Sequence, residues 1–249
     1  MTQEFQHGAR RLVYNLAKGR GPGVVFLGGF RSDKEGTKAL HLEAWARKHD
    51  RAFLRFDYSG HGTSSGAFED GCVGDWFADA AAIIAELTTG PQILVGSSMG
   101  GWIALLLARA MPESVAGMVT IAAAPDFTED GLWASFDKVQ RARIASEGRV
   151  EVPSRYGDGP YVITRELIED GRKHLVLRTP LNLPFPVRFL HGTDDTDVGV
   201  STAYRLLAHS EGEDIRLTVV KNADHRFSSS ECLDLIVASF EEVSRRSAR

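Results

Sequence analysis

Ile93-Leu94-Val95-Gly96-Ser97-Ser98-Met99-Gly100-Gly101-Trp102-Ile103-Ala104 is the stretch on which the reading of this chain turns. An apolar run of β type ends at a glycine, a serine follows, and two glycines open an apolar helical segment. Read as strand, sharp turn and helix, it has the form G-x-S-x-G, which lifts Ser98 above a sheet edge with its hydroxyl exposed. Gly96 and Gly100 suit such a turn because neighbouring backbone passes close by and a Cβ would collide. The helix that follows aims its first N–H groups and its dipole at the place where negative charge would form on an attacked carbonyl. With 25 glycines in 249 residues, three such fixed positions arise by chance in roughly one chain in six. The surroundings must therefore decide.

On the N-terminal side, residues 12–16 alternate weakly and are expected to form an edge strand. Residues 24–27 form a continuous apolar run, as in a strand covered on both faces, and end in Gly28-Gly29-Phe30. Residues 38–49 have helical spacing, residues 52–56 read as a strand, and residues 57–62 as a loop. A second amphipathic helix is expected over 75–87, with Trp76, Phe77, Ala80, Ile83, Ile84 and Leu87 inward. The helix over 98–110 is apolar on nearly every face, which predicts burial against the sheet. A strand follows over 115–122. This alternation predicts right-handed crossovers and an α/β fold with a doubly wound, mostly parallel sheet.

Residues 126–184 break the rhythm. Helical patches over 132–145 and 164–172 flank a proline- and glycine-rich middle, and the segment is far longer than most connections. It is expected to be a small inserted cap, the alternative being an excursion that only patches the core. The core is then 1–125 and 185–249. Strand, helix, strand and helix return over 187–190, 202–208, 215–220 and 229–244.

Apolar content of 43% and charged content of 25% are those of an ordinary globular protein. A net charge of −4 leaves no basic stripe, so nucleic acid is not an expected partner. Cys72 and Cys232 lack metal-ligand spacing and read as small buried hydrophobes. The polar Met1–Gly8 segment carries no signal-peptide core, and the longest apolar run is too short to span a bilayer. A cytoplasmic location is expected.

A serine hydroxyl needs a base within hydrogen-bond reach, and the base needs an acid to fix its tautomer. In such a sheet these groups belong on loops beyond the carboxyl ends of strands. The loop after strand 187–190 carries Asp194, Asp195 and Asp197; the loop after strand 215–220 carries His225. The order serine, aspartate, histidine is the one this fold uses. His191 ends a strand and reads as structural. The remaining histidines, His61 among them, are expected mostly at the surface. The oxyanion would take two backbone donors, Met99 and Phe30, with Gly29 as the alternative to Phe30.

The elbow, the segment His191-Gly192-x-x-Asp195-x-x-Val198 and the pair Asp224-His225 resemble the α/β-hydrolase superfamily. That resemblance implies Asp195 as the acid, with Asp197 the alternative. More specifically, residues 53–60, 90–102, 152–156 and 224–226 resemble the branch of abhydrolase-domain palmitoyl-protein thioesterases and acyl-glucuronide esterases. The branch implies a serine hydrolase that cleaves thioesters or carboxylic esters through an acyl-enzyme, without metal or cofactor. Small molecules or acylated proteins would be the substrates. Eukaryotic members are mitochondrial, a location not expected to carry over. Trp133, Phe136, Tyr156 and Tyr161 put aromatic surface in the expected cap and are candidates for an acyl pocket. The alternatives are a lactonase or small-ester esterase and, from another class, a ligand-binding receptor on a hydrolase fold.

Overall fold

Val24 and Phe26 face one side of the sheet and Val25 and Leu27 the other, because side chains alternate along a strand and apolar layers cover both faces. This computed structural model describes residues 2–153 and 159–247. Its strands and helices are β1 (Thr2–His7), β2 (Arg10–Ala17), β3 (Arg20–Leu27), α1 (Thr37–Lys48), β4 (Arg51–Asp57), α2 (Val73–Leu87), β5 (Gln92–Ser97), α3 (Met99–Ala110) and β6 (Val115–Ile121). After β6 come α4 (Lys138–Glu147), β7 (Arg149–Val152), β8 (Tyr161–Thr164), α5 (Arg165–Lys173), β9 (Leu181–Asn182) and β10 (Val187–Gly192). The chain closes with α6 (Val200–His209), β11 (Ser210–Glu211), β12 (Ile215–Val220) and α7 (Ser230–Ser247).

The eight-stranded sheet has the order β1-β2-β4-β3-β5-β6-β10-β12. Pairing is parallel from β4 to β12, and β2 runs against both β1 and β4. The expected edge strand is therefore an inner one, Arg10–Ala17, because β1 pairs outside it. β1 is polar and mostly exposed, so it carries little of the alternation that marks a half-buried strand.

Helices α1 and α7 cover one face, with Leu42, Ile236 and Phe240 in that layer. Helices α2, α3 and α6 cover the other, with Trp76, Trp102 and Leu206. All residues from Met99 to Ala108 are buried, as the all-round apolar pattern of α3 predicts. Both cysteines are free and buried.

Between β6 and β10 the chain makes a π-helical turn (Phe127–Trp133), then α4, the antiparallel β7–β8 hairpin and α5. Asp126 closes the base of this excursion. Its buried carboxylate accepts from the amides of Val176 (2.7 Å) and Leu177 (3.0 Å) on the returning chain. Asp170 on α5 accepts from the Gly74 amide (2.7 Å) and so caps α2 in the core, a terminus that its own N-cap residue, Cys72, leaves without a side-chain bond.

Candidate active site

The β5–α3 junction is as tight as its glycines imply. A Cβ on Gly96 would lie 2.4 Å from the Gly100 carbonyl oxygen, and one on Gly100 would lie 2.0 Å from that of Leu27. Ser98 occupies φ 54°, ψ −118°, a conformation that L residues rarely adopt. Its amide donates to Ile121 (2.9 Å), and its carbonyl accepts from Gly101 (2.9 Å) and Ala124 (3.1 Å), so both neighbouring segments hold the turn. Ser98 is half-buried, between the buried Ser97 and Met99.

Two further strand ends bring the partners in. Ser98 Oγ lies 3.0 Å from His225 Nε2, and His225 Nδ1 lies 2.8 Å from Asp195 Oδ2. With Nδ1–H donating to the carboxylate, Nε2 is left as an acceptor facing the serine hydroxyl. The Asp195 side chain is fully shielded, and its Oδ1 accepts from the amides of Asp197 (3.0 Å) and Val198 (2.8 Å). Burial pushes the Asp195 carboxyl up. The His225 and backbone hydrogen bonds outweigh it and hold the group below its ordinary range. Asp197 is exposed, with a carboxylate oxygen within 4.8 Å of both partners, but the ring nitrogen is bonded to Asp195. His191 is buried and its Nε2 lies 2.8 Å from the Val198 carbonyl. That nitrogen is therefore a donor and is unavailable as a base at this position.

Met99 is the first residue of α3, so its N–H has no acceptor within the helix. The chain leaving β3 runs beside it. A Cβ on Gly29 would sit 3.5 Å from Ser98 Cβ. The Phe30 ring lies among Phe68, Trp76, Phe127 and Tyr161, with centroids 4.8–5.8 Å away, which ties its backbone to both the core and the excursion.

Two chambers meet over Ser98 and His225, with Phe30 and Tyr161 lining both. One, of about 580 Å³, is mainly apolar, with Phe127, Leu132, Phe136, Val152 and Ile163 in its walls. The other, of about 460 Å³, is more polar and includes Arg31, Asp33, Lys38 and Arg226. Of the four aromatic residues expected at an acyl pocket, Phe136 and Tyr161 line the apolar chamber. Trp133 is not among its lining residues: Arg141 (5.2 Å) and Arg172 (4.7 Å) lie over its ring, which meets Phe136 edge to face at 6.2 Å. Tyr156 lies outside the described residues.

The family model described as "Alpha/beta hydrolase family" matches residues 24–238. The chain belongs to the alpha/beta hydrolase family. It is 36% identical over 236 residues to the mitochondrial palmitoyl-protein thioesterase ABHD10 of Bos taurus, covering 93% of this chain and 76% of that one. Alpha/beta hydrolase domain-containing protein 10 from mouse superposes with a TM-score of 0.90 at 31% identity, covering 97% of each chain. A crystal structure from Agrobacterium vitis S4 gives 0.93 at 36% identity, covering 98% of each. Among the described residues, no helix is long and apolar enough to cross a membrane.

Two residues near this alpha/beta hydrolase site carry no role in the sequence reading. His61, expected at the surface, is 2% exposed and touches the loop after β3. Its position between two glycines, in the loop that leaves β4, is the signal that could have found it. Lys38, the second residue of α1, donates through Nζ to the Arg226 carbonyl (2.5 Å) beside His225, and burial brings its pKa down to about 8. Helical periodicity alone does not distinguish it from a surface lysine.

Proposed function

We propose that the protein is a serine hydrolase of acyl thioesters and esters, with Ser98 as nucleophile, His225 as base and then acid, and Asp195 as the group that orients and charges the imidazole. The continuous hydrogen-bonded chain Ser98–His225–Asp195 at the β5–α3 elbow carries the reading. Ser98 Oγ attacks the acyl carbonyl carbon while His225 Nε2 takes its proton. The carbonyl oxygen becomes an oxyanion held by the Met99 and Phe30 amides; one such donor is worth about 3–4 kcal/mol in the transition state. The intermediate collapses, the carbon–sulfur or carbon–oxygen bond breaks, and His225 gives its proton to the leaving group. Water, deprotonated by His225, then releases the acid and regenerates Ser98.

The apolar chamber suits the acyl chain, and the polar one suits the thiol or alcohol. A volume of about 580 Å³ falls within the usual range of roughly 300–1,000 Å³ for ligand sites. Long acyl thioesters are the proposed preferred class, supported by that chamber and by the palmitoyl-protein thioesterases among the relatives.

Replacing Ser98 by alanine is expected to remove both turnover of p-nitrophenyl and acyl-CoA substrates and labelling by a fluorophosphonate. Labelling that persists in Ser98→Ala would place the nucleophile elsewhere.

A further inference from the structure

The loop that leaves β4, Tyr58-Ser59-Gly60-His61-Gly62, lies two strands away from the catalytic elbow, with β3 between, and takes no part in the reaction above. Yet its histidine reaches the oxyanion loop. His61 Nε2 lies 3.2 Å from the Arg31 amide, and His61 Nδ1 lies 3.2 Å from the Ser59 carbonyl. An amide can only donate, so Nε2 accepts and Nδ1 carries the proton. The ring is thereby fixed as one neutral tautomer bridging two loops.

We propose that His61 is a positioning residue for the oxyanion hole: through the Arg31 amide it fixes the backbone of Gly29–Arg31, and with it the Phe30 donor. The inference rests on the proposed serine mechanism.

Three features make this bridge stiff. The ring is enclosed edge-to-face by Tyr58, Phe68 and Trp76, with centroids 5.1–5.5 Å away. Phe68 and Trp76 also pack on Phe30, so one aromatic cluster holds both the imidazole and the side chain of the donor residue. The β4 loop itself is bolted down by two buried carboxylates. Asp79 on α2 accepts from the Ser59 amide (2.8 Å) and hydroxyl (2.6 Å), and Asp57 accepts from the amides of Thr63 (3.0 Å) and Lys34 (2.6 Å). Arg31 needs such an anchor because its φ of 56° lies in the region non-glycine residues disfavour.

Protonation would turn Nε2 into a donor aimed at another donor and break the bridge. Burial lowers the His61 pKa despite the negative charges of Asp57 and Asp79, which keeps the neutral acceptor form at neutral pH.

The test uses His61→Phe, which keeps the aromatic packing but cannot accept, and His61→Gln, whose carbonyl can. His61→Phe is expected to lower kcat on a p-nitrophenyl ester by about 10- to 100-fold, with KM changed less than about twofold. It should weaken a trifluoromethyl ketone, which forms a tetrahedral adduct, in step with kcat. His61→Gln should recover most of both. Wild-type kcat in a cooperatively folded His61→Phe protein, or equal losses in the two variants, would overturn the inference.

If His61→Phe fails to fold, nitrogen NMR of the wild-type ring still decides. An unprotonated Nε2 is required, and a proton on Nε2 refutes the bridge. Turnover surviving in Ser98→Ala would instead remove the underlying mechanism, an outcome that the His61 measurements do not produce.

Discussion

The Ser98 hydroxyl, the proposed nucleophile, depends on a conformation that serine disfavours. Holding Ser98 at φ 54° costs about 1–3 kcal/mol, and the surrounding hydrogen bonds and glycine contacts over-determine it. The same economy of position governs the proposed acid. Asp195 and Asp197 stand two residues apart, and from the residues alone either could face the histidine. What separates them is that Asp195 turns inward and has its second oxygen filled by the amides of Asp197 and Val198. Asp195→Asn is expected to lower kcat by about 10⁴-fold, because the amide favours the wrong imidazole tautomer. Asp197→Asn should lower it by less than about tenfold, since the ring's Nδ1 is bonded to Asp195. Steady-state kinetics of the two purified variants checks this, and the opposite ranking would move the acid to Asp197. The order of Ser98, an acid and His225 was legible because each follows a different strand. The register within the acidic turn was not, because two residues of turn geometry leave no periodic trace.

At the scale of elements, the parallel strands and the helices that cover them were legible because burial on both faces writes long apolar runs. The excursion over residues 126–184 was much less so. Helical spacing from Leu132 onward continues through the end of the π-helical turn and into α4, so the break at the Asp137–Gln140 capping box is masked. The β7–β8 hairpin has strands of four residues each, too short for alternation to register. Periodicity also cannot say which aromatic lines the chamber over Ser98: Trp133 and Phe136 are three residues apart and meet edge to face, yet of the two only Phe136 is in its wall. The π-helical turn does place Leu132 in the wall of the apolar chamber. Leu132→Trp should therefore shorten that chamber. Activity on an acetyl ester is expected to stay within about threefold, while activity on the palmitoyl ester falls at least about tenfold. A chain-length series of p-nitrophenyl esters measures both, and equal losses across the series would show that the acyl chain lies elsewhere.

For the whole molecule, the site depends on β10 and β12 staying in register, since their ends carry Asp195 and His225. A charge cluster far from the chemistry ties them together. Arg188 on β10 is 3% exposed and donates to both carboxylate oxygens of Glu242 on α7, at 2.8 and 2.9 Å. Arg188 also pairs with Asp214, just before β12, at 2.9 Å, and Arg216 on β12 reaches Glu242 at 2.8 Å. The Arg188 hydrogen bond, aided by Arg216 and Arg246, overcomes the opposing effect of burial and brings the Glu242 carboxyl down to about 2. A folded-state pKa below the unfolded one stabilises above the unfolded value, and that contribution is lost as pH falls through the folded value. Glu242 thus supports the fold fully above about pH 4.5 and progressively less down to about 2. Glu242→Gln leaves Arg188 short of one charge-assisted partner. It is expected to cost about 1–2 kcal/mol at pH 7, between an exposed pair and a buried charged hydrogen bond. Urea titrations of both proteins from pH 7 to pH 2 would show the gap closing as Glu242 protonates. A gap of constant size over that range would mean that the carboxylate's charge contributes nothing and that only its shape matters to the joint between β10 and α7.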